Sequence, residues 1–150
     1  MNDRDRPLTA AGRGDAARIA AYMAEKSLRP DHALCSPALR TKETLGAVEA
    51  AIGKIPTSYR EELYLAEAAR FGAILATVPP AATLLVIGHN PGLGAFASQF
   101  TDLDNLETAF ALSTFPAAAL AILEGEGADW AQVLAHRLTL TAFITPDTLP

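Results

Sequence analysis

The chain has 150 residues, half of them apolar, which is enough for one globular domain with a hydrophobic core. Its formal charge of −5 argues against a general binder of nucleic acid or of an anionic membrane, since both partners favour a basic surface. The single cysteine excludes an internal disulfide and a zinc site built from several cysteines, and it is typical of a reducing cytoplasm.

Charge is unevenly distributed along the chain. Residues 1–70 carry 11 of the 12 Lys and Arg but only 10 of the 17 Asp and Glu. A bound phosphate or carboxylate must therefore draw its arginines from Arg4, Arg6, Arg40 and their neighbours, with Arg137 the one late candidate. No apolar run approaches the roughly 18 residues of a membrane span, so we expect a cytoplasmic protein without a membrane or nucleic-acid partner.

The first half of the chain alternates helix and strand patterns. Thr9 is the expected N-cap of a helix over residues 10–27, because an alanine-rich segment with helical spacing follows it. A short strand is predicted over 32–35, and a second helix over 38–53 that Gly53 closes. Residues 57–65 form a weaker, extended segment.

The alternation continues beyond residue 65. A third helix is predicted over 67–78, ended by Pro79 and Pro80. The apolar segment "TLLVIGH" predicts a strand buried on both faces, and a further helix follows from Pro91. After residue 110, "FPAAALAIL" and "AHRLTLTAFI" predict strands of a hairpin or sheet edge, with Trp130 packing between them. This order indicates an α/β domain with a mostly parallel sheet.

Two strand ends share one design. At Ser36-Pro37 and at His89-Asn90-Pro91 a polar residue is expected to cap a helix, with proline at the first helical position. The N–H groups that follow would favour an anion at each corner. Arg40 lies one turn into the helix after Ser36, and its planar fork suits phosphate. With His89, which can donate to an oxyanion or exchange a proton, the residues predict a phosphate pocket.

Simpler interpretations exist for each residue taken alone. Considered alone, Arg40 would be a solvated helix residue that pairs with Glu43. His89 would cap a helix or pack in the interior, and Cys35 would be a small core residue. His32 and His136 are expected at surface or edge positions. In "CSPALR" four residues separate Cys from Arg, whereas cysteine-dependent phosphatases place five, so Cys35 is a poor nucleophile. "GHNPGLG" matches neither the dinucleotide-binding nor the P-loop pattern.

Taken together, the motifs resemble a known family. "DRPLTAAGRGDAARIAAYM", "LCSPALRTKET", "EELYLAEA" and "LLVIGHNPGL" occur in the order typical of the histidine phosphatase superfamily, closest to its bacterial SixA-type phosphohistidine phosphatases. "FPAAALAILE" and "LTAFITPDTL" extend the resemblance to nearly the whole chain. It implies a three-layer α/β/α sandwich of the phosphoglycerate mutase type, with a mostly parallel sheet. It also implies phosphoryl transfer through a phosphohistidine, without metal or cofactor.

The resemblance implies roles for individual residues. Arg40 matches the arginine that clamps the phosphate, and His89 matches the second histidine, which hydrogen-bonds the transferring group. Their corner motifs add Ser36 and Asn90 as phosphate-binding candidates. Glu61 is the nearest match to the acid with which some branches of the family protonate the leaving group. The implied partner is a phosphate-bearing substrate: a phosphohistidine protein, a small phosphoester or a nucleotide phosphate.

One expected motif is absent. The nucleophile of the family is a histidine in an arginine-histidine motif at the end of the first strand, upstream of the "DRPLT" segment, and no histidine stands before Arg13 here. We therefore expect a fragment whose first strand and nucleophile lie outside this sequence, and whose Arg40 and His89 bind phosphate without turning it over efficiently. A missing interior strand would also leave unpaired backbone groups on its neighbours.

Three hypotheses follow for the function. The leading one is a phosphohistidine phosphatase-like domain, active in its complete form. The second is a non-catalytic pseudo-phosphatase that binds phosphate or phosphoproteins. The third is an α/β domain completed by a strand from another chain. An exposed sheet edge would favour self-association, and the sequence does not specify the oligomeric state.

Overall fold

The computed structural model describes residues 1–103 and 105–150, in which helices and strands alternate. The helices within these ranges are α1 (Ala10–Glu25), α2 (Leu39–Ile52), α3 (Ala68–Leu75), α4 (Gly92–Gln99), α5 (Leu106–Thr114) and α6 (Trp130–Ala135). The strands are β1 (His32–Cys35), β2 (Thr57–Tyr59), β3 (Leu84–Ile87), β4 (Thr101–Asp102), β5 (Leu120–Glu124) and β6 (Leu138–Ile144). Two short 3₁₀ turns, Asp3–Asp5 and Glu61–Leu63, lie near the candidate site.

The ends of the first two helices follow from local sequence. The Thr9 hydroxyl accepts the Gly12 N–H at 3.0 Å, which confirms Thr9 as the N-cap of α1. This helix ends at Glu25, two residues earlier than expected, because Ser27 takes a positive φ of 55°. Gly53 ends α2 as predicted, with a φ of 97° that a residue without a side chain adopts at little cost.

The central layer consists of two three-stranded pieces. In the first, β1 lies between β2 and β3, and all three strands run parallel. In the second, β6 pairs in parallel with β4 and antiparallel with β5. Cys35 is in register with Ile87, so the carboxyl ends of β1 and β3 finish side by side. This register places Ser36 next to the segment that carries His89.

Helices cover both faces of the sheet. Ala33 and Cys35 of β1 pack into one hydrophobic cluster with α1 and α2, while Leu34 points into a second cluster with α3 and α4. The alternation is the two-residue period of a strand with both faces covered. The predicted three-layer α/β/α arrangement is therefore confirmed.

The apolar strand after Thr83 is less deeply buried than expected. Both faces of β3 are covered, since Leu85 and Ile87 join the α1 and α2 cluster and Leu84 and Val86 join the other. None of the four side chains is fully buried, however. Among the described residues β3 has a strand partner on one side only, which leaves its other edge open.

The helix starts at the two proline corners differ from the prediction. Ala38, in extended backbone, is the N-cap of α2, so Pro37 lies before the helix and Ser36 is not its cap. Pro91 is the N-cap of α4 and not its first residue. In each case the helix begins after the proline. The prediction of a polar N-cap followed by proline at the first helical position is therefore wrong.

The C-terminal third contains elements that the sequence did not reveal. The two predicted strands form the antiparallel pair β5 and β6, but α6 lies between them, so they are not joined by a tight hairpin. Trp130 begins α6 and packs against the cluster of α3 and α4, which confirms its packing role. Strand β4 and helix α5 had no sequence prediction. No helix in the described ranges has both the length and the apolar character needed to cross a bilayer.

Candidate functional site

Arg40, His89 and Ser36 meet where β1 and β3 end. One Arg40 nitrogen, Nη2, lies 3.3 Å from His89 Nδ1, and the other ring nitrogen, Nε2, lies 2.7 Å from Ser36 Oγ. His89 is 8% exposed and Ser36 is fully buried, whereas Arg40 closes the group at the surface with 15% of its side chain exposed. The structure therefore brings together three of the five predicted site residues.

The protonation of His89 follows from its neighbours. A guanidinium can only donate, so Nδ1 facing Arg40 acts as an acceptor and the ring proton sits on Nε2, donating to Ser36. Burial, and then the positive charge of Arg40, lower the pKa of His89 from 6.5 to about 4. His89 is consequently a neutral imidazole at physiological pH.

An acidic side chain occupies the outer side of Arg40. Arg40 Nη1 donates to the Asp3 backbone carbonyl at 2.9 Å, and Nη2 lies 3.2 Å from the Asp3 carboxylate oxygen Oδ2. Arg6 Nε lies 3.4 Å from the other carboxylate oxygen, and the Tyr64 hydroxyl donates to Oδ2. These contacts hold the pKa of Asp3 below its ordinary value, chiefly through the Tyr64 hydrogen bond. The side chains beside His89 thus hold one anionic group, the carboxylate of Asp3.

Glu43 fastens the N-terminal segment to α2. Its carboxylate accepts the Leu8 backbone N–H at 2.7 Å and lies 3.3 Å from Arg13 Nη1. Glu43 therefore does not pair with Arg40, and the simpler interpretation of Arg40 as a solvated helix residue is wrong. Since Leu8 is held in place, the turn that carries Asp3 is held over the site as well.

Tyr64 packs against the same group of residues. Its ring stands edge-on to the His89 ring, with centroids 5.4 Å apart and an interplanar angle of 81°. The Arg4 guanidinium lies over the Tyr64 ring at 4.6 Å from its centroid. The loop after the 3₁₀ turn Glu61–Leu63 thereby contributes an aromatic side chain with a hydroxyl donor.

Two predicted site residues are engaged elsewhere. Glu61 forms an ion pair with Arg4 at the rim and has 61% of its side chain exposed. The Asn90 amide donates to the Phe115 carbonyl after α5, and its side-chain oxygen accepts the Gly94 N–H at 3.2 Å. These contacts hold the loop of His89 against the end of α5. Both polar ends of the Asn90 side chain are thus engaged away from Arg40.

The remaining histidines and the cysteine lie outside this group. His136 is exposed at the end of α6, as predicted. His32 is half-buried on the central strand β1, with Nε2 2.9 Å from Ser58 Oγ on the neighbouring strand, so the surface or edge prediction is wrong for this residue. Cys35 is fully buried, and burial raises the pKa of its thiol to about 12, so it is the core residue that was predicted. Across residues 1–103 and 105–150, no group of three His, Cys, Asp or Glu side chains is arranged to hold a metal ion.

Asp3 and Tyr64 are the site residues that sequence reasoning missed. Asp3 lies outside the quoted motifs, and Tyr64 lies within "EELYLAEA" but carried no predicted role. Their mutual contact spans 61 positions of the chain. The available signal was the concentration of arginine before residue 70, which pointed to Arg4, Arg6 and Arg40 but not to the acid and the phenol that bind them.

The fold matches solved SixA structures. The SixA structure from Nakamurella multipartitia is 29% identical, with a TM-score of 0.85, covering 97% of this chain and 88% of that one. The SixA structure from Agrobacterium tumefaciens is also 29% identical, with a TM-score of 0.82 and coverage of 97% and 87%. The protein histidine phosphatase SixA complexed with tungstate, at 20% identity and a TM-score of 0.80, shows the shared fold alone.

Sequence relatives match nearly the whole chain. An uncharacterized protein of Mycobacterium leprae is 30% identical over 149 residues, covering 96% of this chain and 89% of the relative. One from Mycobacterium tuberculosis is 29% identical over 153 residues, with coverage of 96% and 91%. The model of the histidine phosphatase superfamily (branch 1) matches residues 2–73, which include Ser36 and Arg40. This chain belongs to the histidine phosphatase superfamily, and its relationship is to the SixA-like members.

Proposed function

We propose that Arg40, His89 and Ser36 bind the phosphoryl group of a phosphorylated substrate, with phosphohistidine on a protein as the leading candidate. The observation that carries this proposal is the Asp3 carboxylate held by Arg40 beside His89. A guanidinium fork that binds a carboxylate also suits the oxygens of phosphate, with which it forms short, charge-assisted hydrogen bonds. The similarity to SixA structures supports the phosphohistidine class of substrate.

His89 would change its protonation when phosphate binds. In the absence of a strong anion, burial and the donated hydrogen bond of Arg40 keep Nδ1 unprotonated. A phosphate dianion would add more negative charge than Asp3, which raises the pKa of His89 and favours a proton on Nδ1. His89 could then donate to a phosphate oxygen while Ser36 continues to hold Nε2. This fits the supporting histidine that the family resemblance implies.

Within residues 1–103 and 105–150, one histidine lies in this site. Both nitrogens of His89 are already engaged, by Arg40 and by Ser36, so neither is presented as a nucleophile. The other two histidines, His32 and His136, bind Ser58 or face solvent. We therefore propose that these residues bind the phosphoryl group without efficient turnover, since the covalent route of the family needs a second imidazole. A phosphoprotein-binding pseudo-phosphatase is the alternative function that this arrangement favours.

Further parts of the proposal rest on sequence features. Glu61, at the rim of the pocket, is the candidate acid for protonating a leaving group, and Asn90 supports the corner of His89. A cytoplasmic location without metal, cofactor, nucleic-acid or membrane partners accords with the negative net charge and the single cysteine.

Calorimetry with inorganic phosphate and with vanadate tests the binding site. Arg40→Ala should abolish measurable binding, because it removes the charged fork. Arg18→Ala is the matched control, since it removes the same charge from α1, where Arg18 pairs with Asp15. Equal binding by the wild type and the Arg40 variant would place the phosphate elsewhere and refute the proposal.

A further inference from the structure

The Asp3 carboxylate is bound in the manner of a ligand. Three side chains from separate parts of the chain converge on it: Arg40 from α2, Tyr64 from the loop before α3, and Arg6. Asp3 itself stands on an exposed 3₁₀ turn, with 49% of its side chain accessible. An exposed carboxylate has no need of three partners for its own solvation, so the partners define a pocket for an anion.

Tyr64 is positioned as firmly as Arg40. Its ring packs edge-on against His89 and under Arg4, which fixes the direction of the hydroxyl. The hydrogen bond to Asp3, followed by burial, raises the pKa of Tyr64, so the phenol keeps its proton and remains a donor at neutral pH. A neutral donor beside the charged Arg40 is suited to an oxyanion.

We propose that the Tyr64 hydroxyl is a further ligand of the bound phosphoryl group, and that the Asp3 carboxylate competes with that group for the same donors. This inference rests on the proposed function, because it assigns the same pocket. A phosphate group presents more oxygens and more charge than a carboxylate, so it can bind Arg40 and Tyr64 together once Asp3 is displaced. Asp3 thus acts as an intramolecular competitor.

Because Asp3 and phosphate compete for the Tyr64 hydroxyl, the effect of Tyr64 on phosphate binding must be measured in a variant without the Asp3 carboxylate. In the wild type Tyr64→Phe weakens the hold on Asp3 as well as the hold on phosphate, so the two effects oppose each other. In an Asp3→Ala background only the effect on phosphate remains. The phenyl ring of the variant keeps the packing on His89 and Arg4, and only the hydroxyl is lost.

Calorimetry with inorganic phosphate at pH 7 is the experiment. Asp3→Ala should bind about threefold to tenfold more tightly than the wild type, because an exposed ion pair no longer competes. Asp5→Ala removes the same charge from the same turn but leaves the Asp3 bonds in place, and should bind like the wild type. Adding Tyr64→Phe to Asp3→Ala should weaken binding about tenfold, the effect of losing a hydrogen bond to a charged group.

The outcomes separate this inference from the proposed function. If Asp3→Ala binds no more tightly than Asp5→Ala, Asp3 does not compete with phosphate and the inference is wrong. It is equally wrong if Tyr64→Phe has no effect in the Asp3→Ala background. The combination of Asp3→Ala with Arg40→Ala tests the proposed function alone: loss of binding there upholds the pocket even when the Tyr64 inference fails. Circular dichroism of each variant shows that the fold is retained.

Discussion

Arg40 and His89 are joined by a hydrogen bond of 3.3 Å in which the guanidinium donates and the imidazole nitrogen Nδ1 accepts. The contact links the first turn of α2 to the end of β3, 49 positions apart in the chain. Burial lowers the pKa of His89 most, and the contact with Arg40 lowers it further, since a protonated ring would place two positive groups side by side. His89 is therefore neutral at physiological pH, and the proposed binding of phosphate would raise its pKa.

The stability of the protein should fall in mild acid because of His89. Its pKa is about 4 in the folded protein and near 6.5 when unfolded, so the unfolded chain binds more protons between these values. The free energy of unfolding should drop by about 2 kcal/mol from pH 7 to pH 5 through this group. Urea titrations of the wild type and His89→Gln measure the difference, and His136→Gln, at an exposed histidine, is the control. A wild type and a His89 variant with parallel pH profiles would refute the lowered pKa.

Residues 1–150 alone should show no phosphatase turnover. The site contains no unengaged imidazole to form a phosphoenzyme, so we expect neither release of nitrophenol from p-nitrophenyl phosphate nor an acid-labile phosphoprotein. Absorbance measures the nitrophenol, and transfer of label from a donor with a radiolabelled phosphoryl group measures the phosphoprotein. Turnover that disappears in His89→Ala would contradict this and would make His89 the nucleophile.

Gly92, the first residue of α4, should tolerate no side chain. A Cβ atom there would lie 1.7 Å from the Ala66 carbonyl oxygen, in the loop that carries Tyr64. We expect Gly92→Ala to lower the free energy of unfolding by at least about 3 kcal/mol, the range of severe backbone clashes. Gly46 lies at an exposed position of α2, and no atom lies near its Cβ position. Gly46→Ala should instead raise the free energy of unfolding by up to about 1 kcal/mol. Urea unfolding that ranks the two variants in the reverse order would refute the close contact.

The thiol of Cys35 should be unreactive in the folded protein. It is fully buried, and burial raises its pKa to about 12, so almost no thiolate forms at neutral pH. Ellman's reagent should label it only after denaturation, with one equivalent released in urea. Rapid stoichiometric labelling without denaturant would show that β1 opens readily or that the thiol is accessible.

Local signals in the sequence predicted much of the fold. Thr9 and Gly53 mark helix ends because capping depends on a few adjacent residues, and the apolar segment over 32–35 could be read as a strand for the same reason. Helix α6 was missed because it has only six residues, too few for a helical period to be recognised. Pro37 and Pro91 were placed too far into their helices, since the backbone before each helix start is set by tertiary contacts.

The site was predictable in part. Arg40, His89 and Ser36 follow strand ends, and parallel strands bring such ends together at one edge. Tyr64 and Asp3 come from loops whose approach to that edge depends on Glu43 holding Leu8 and on the close packing of Gly92 against Ala66. Contacts of this kind have no periodic or local signature in a single sequence.

The most direct test of the pocket is the imidazole ¹⁵N spectrum of the protein during a titration with inorganic phosphate at pH 6. The three histidines give three distinguishable ring systems. Saturable shifts of the His89 nitrogens, with His32 and His136 unchanged and with the effect lost in Arg40→Ala, are the predicted result. His89 signals that stay fixed at high phosphate, or that move equally without Arg40, would contradict a phosphate site built on this pair.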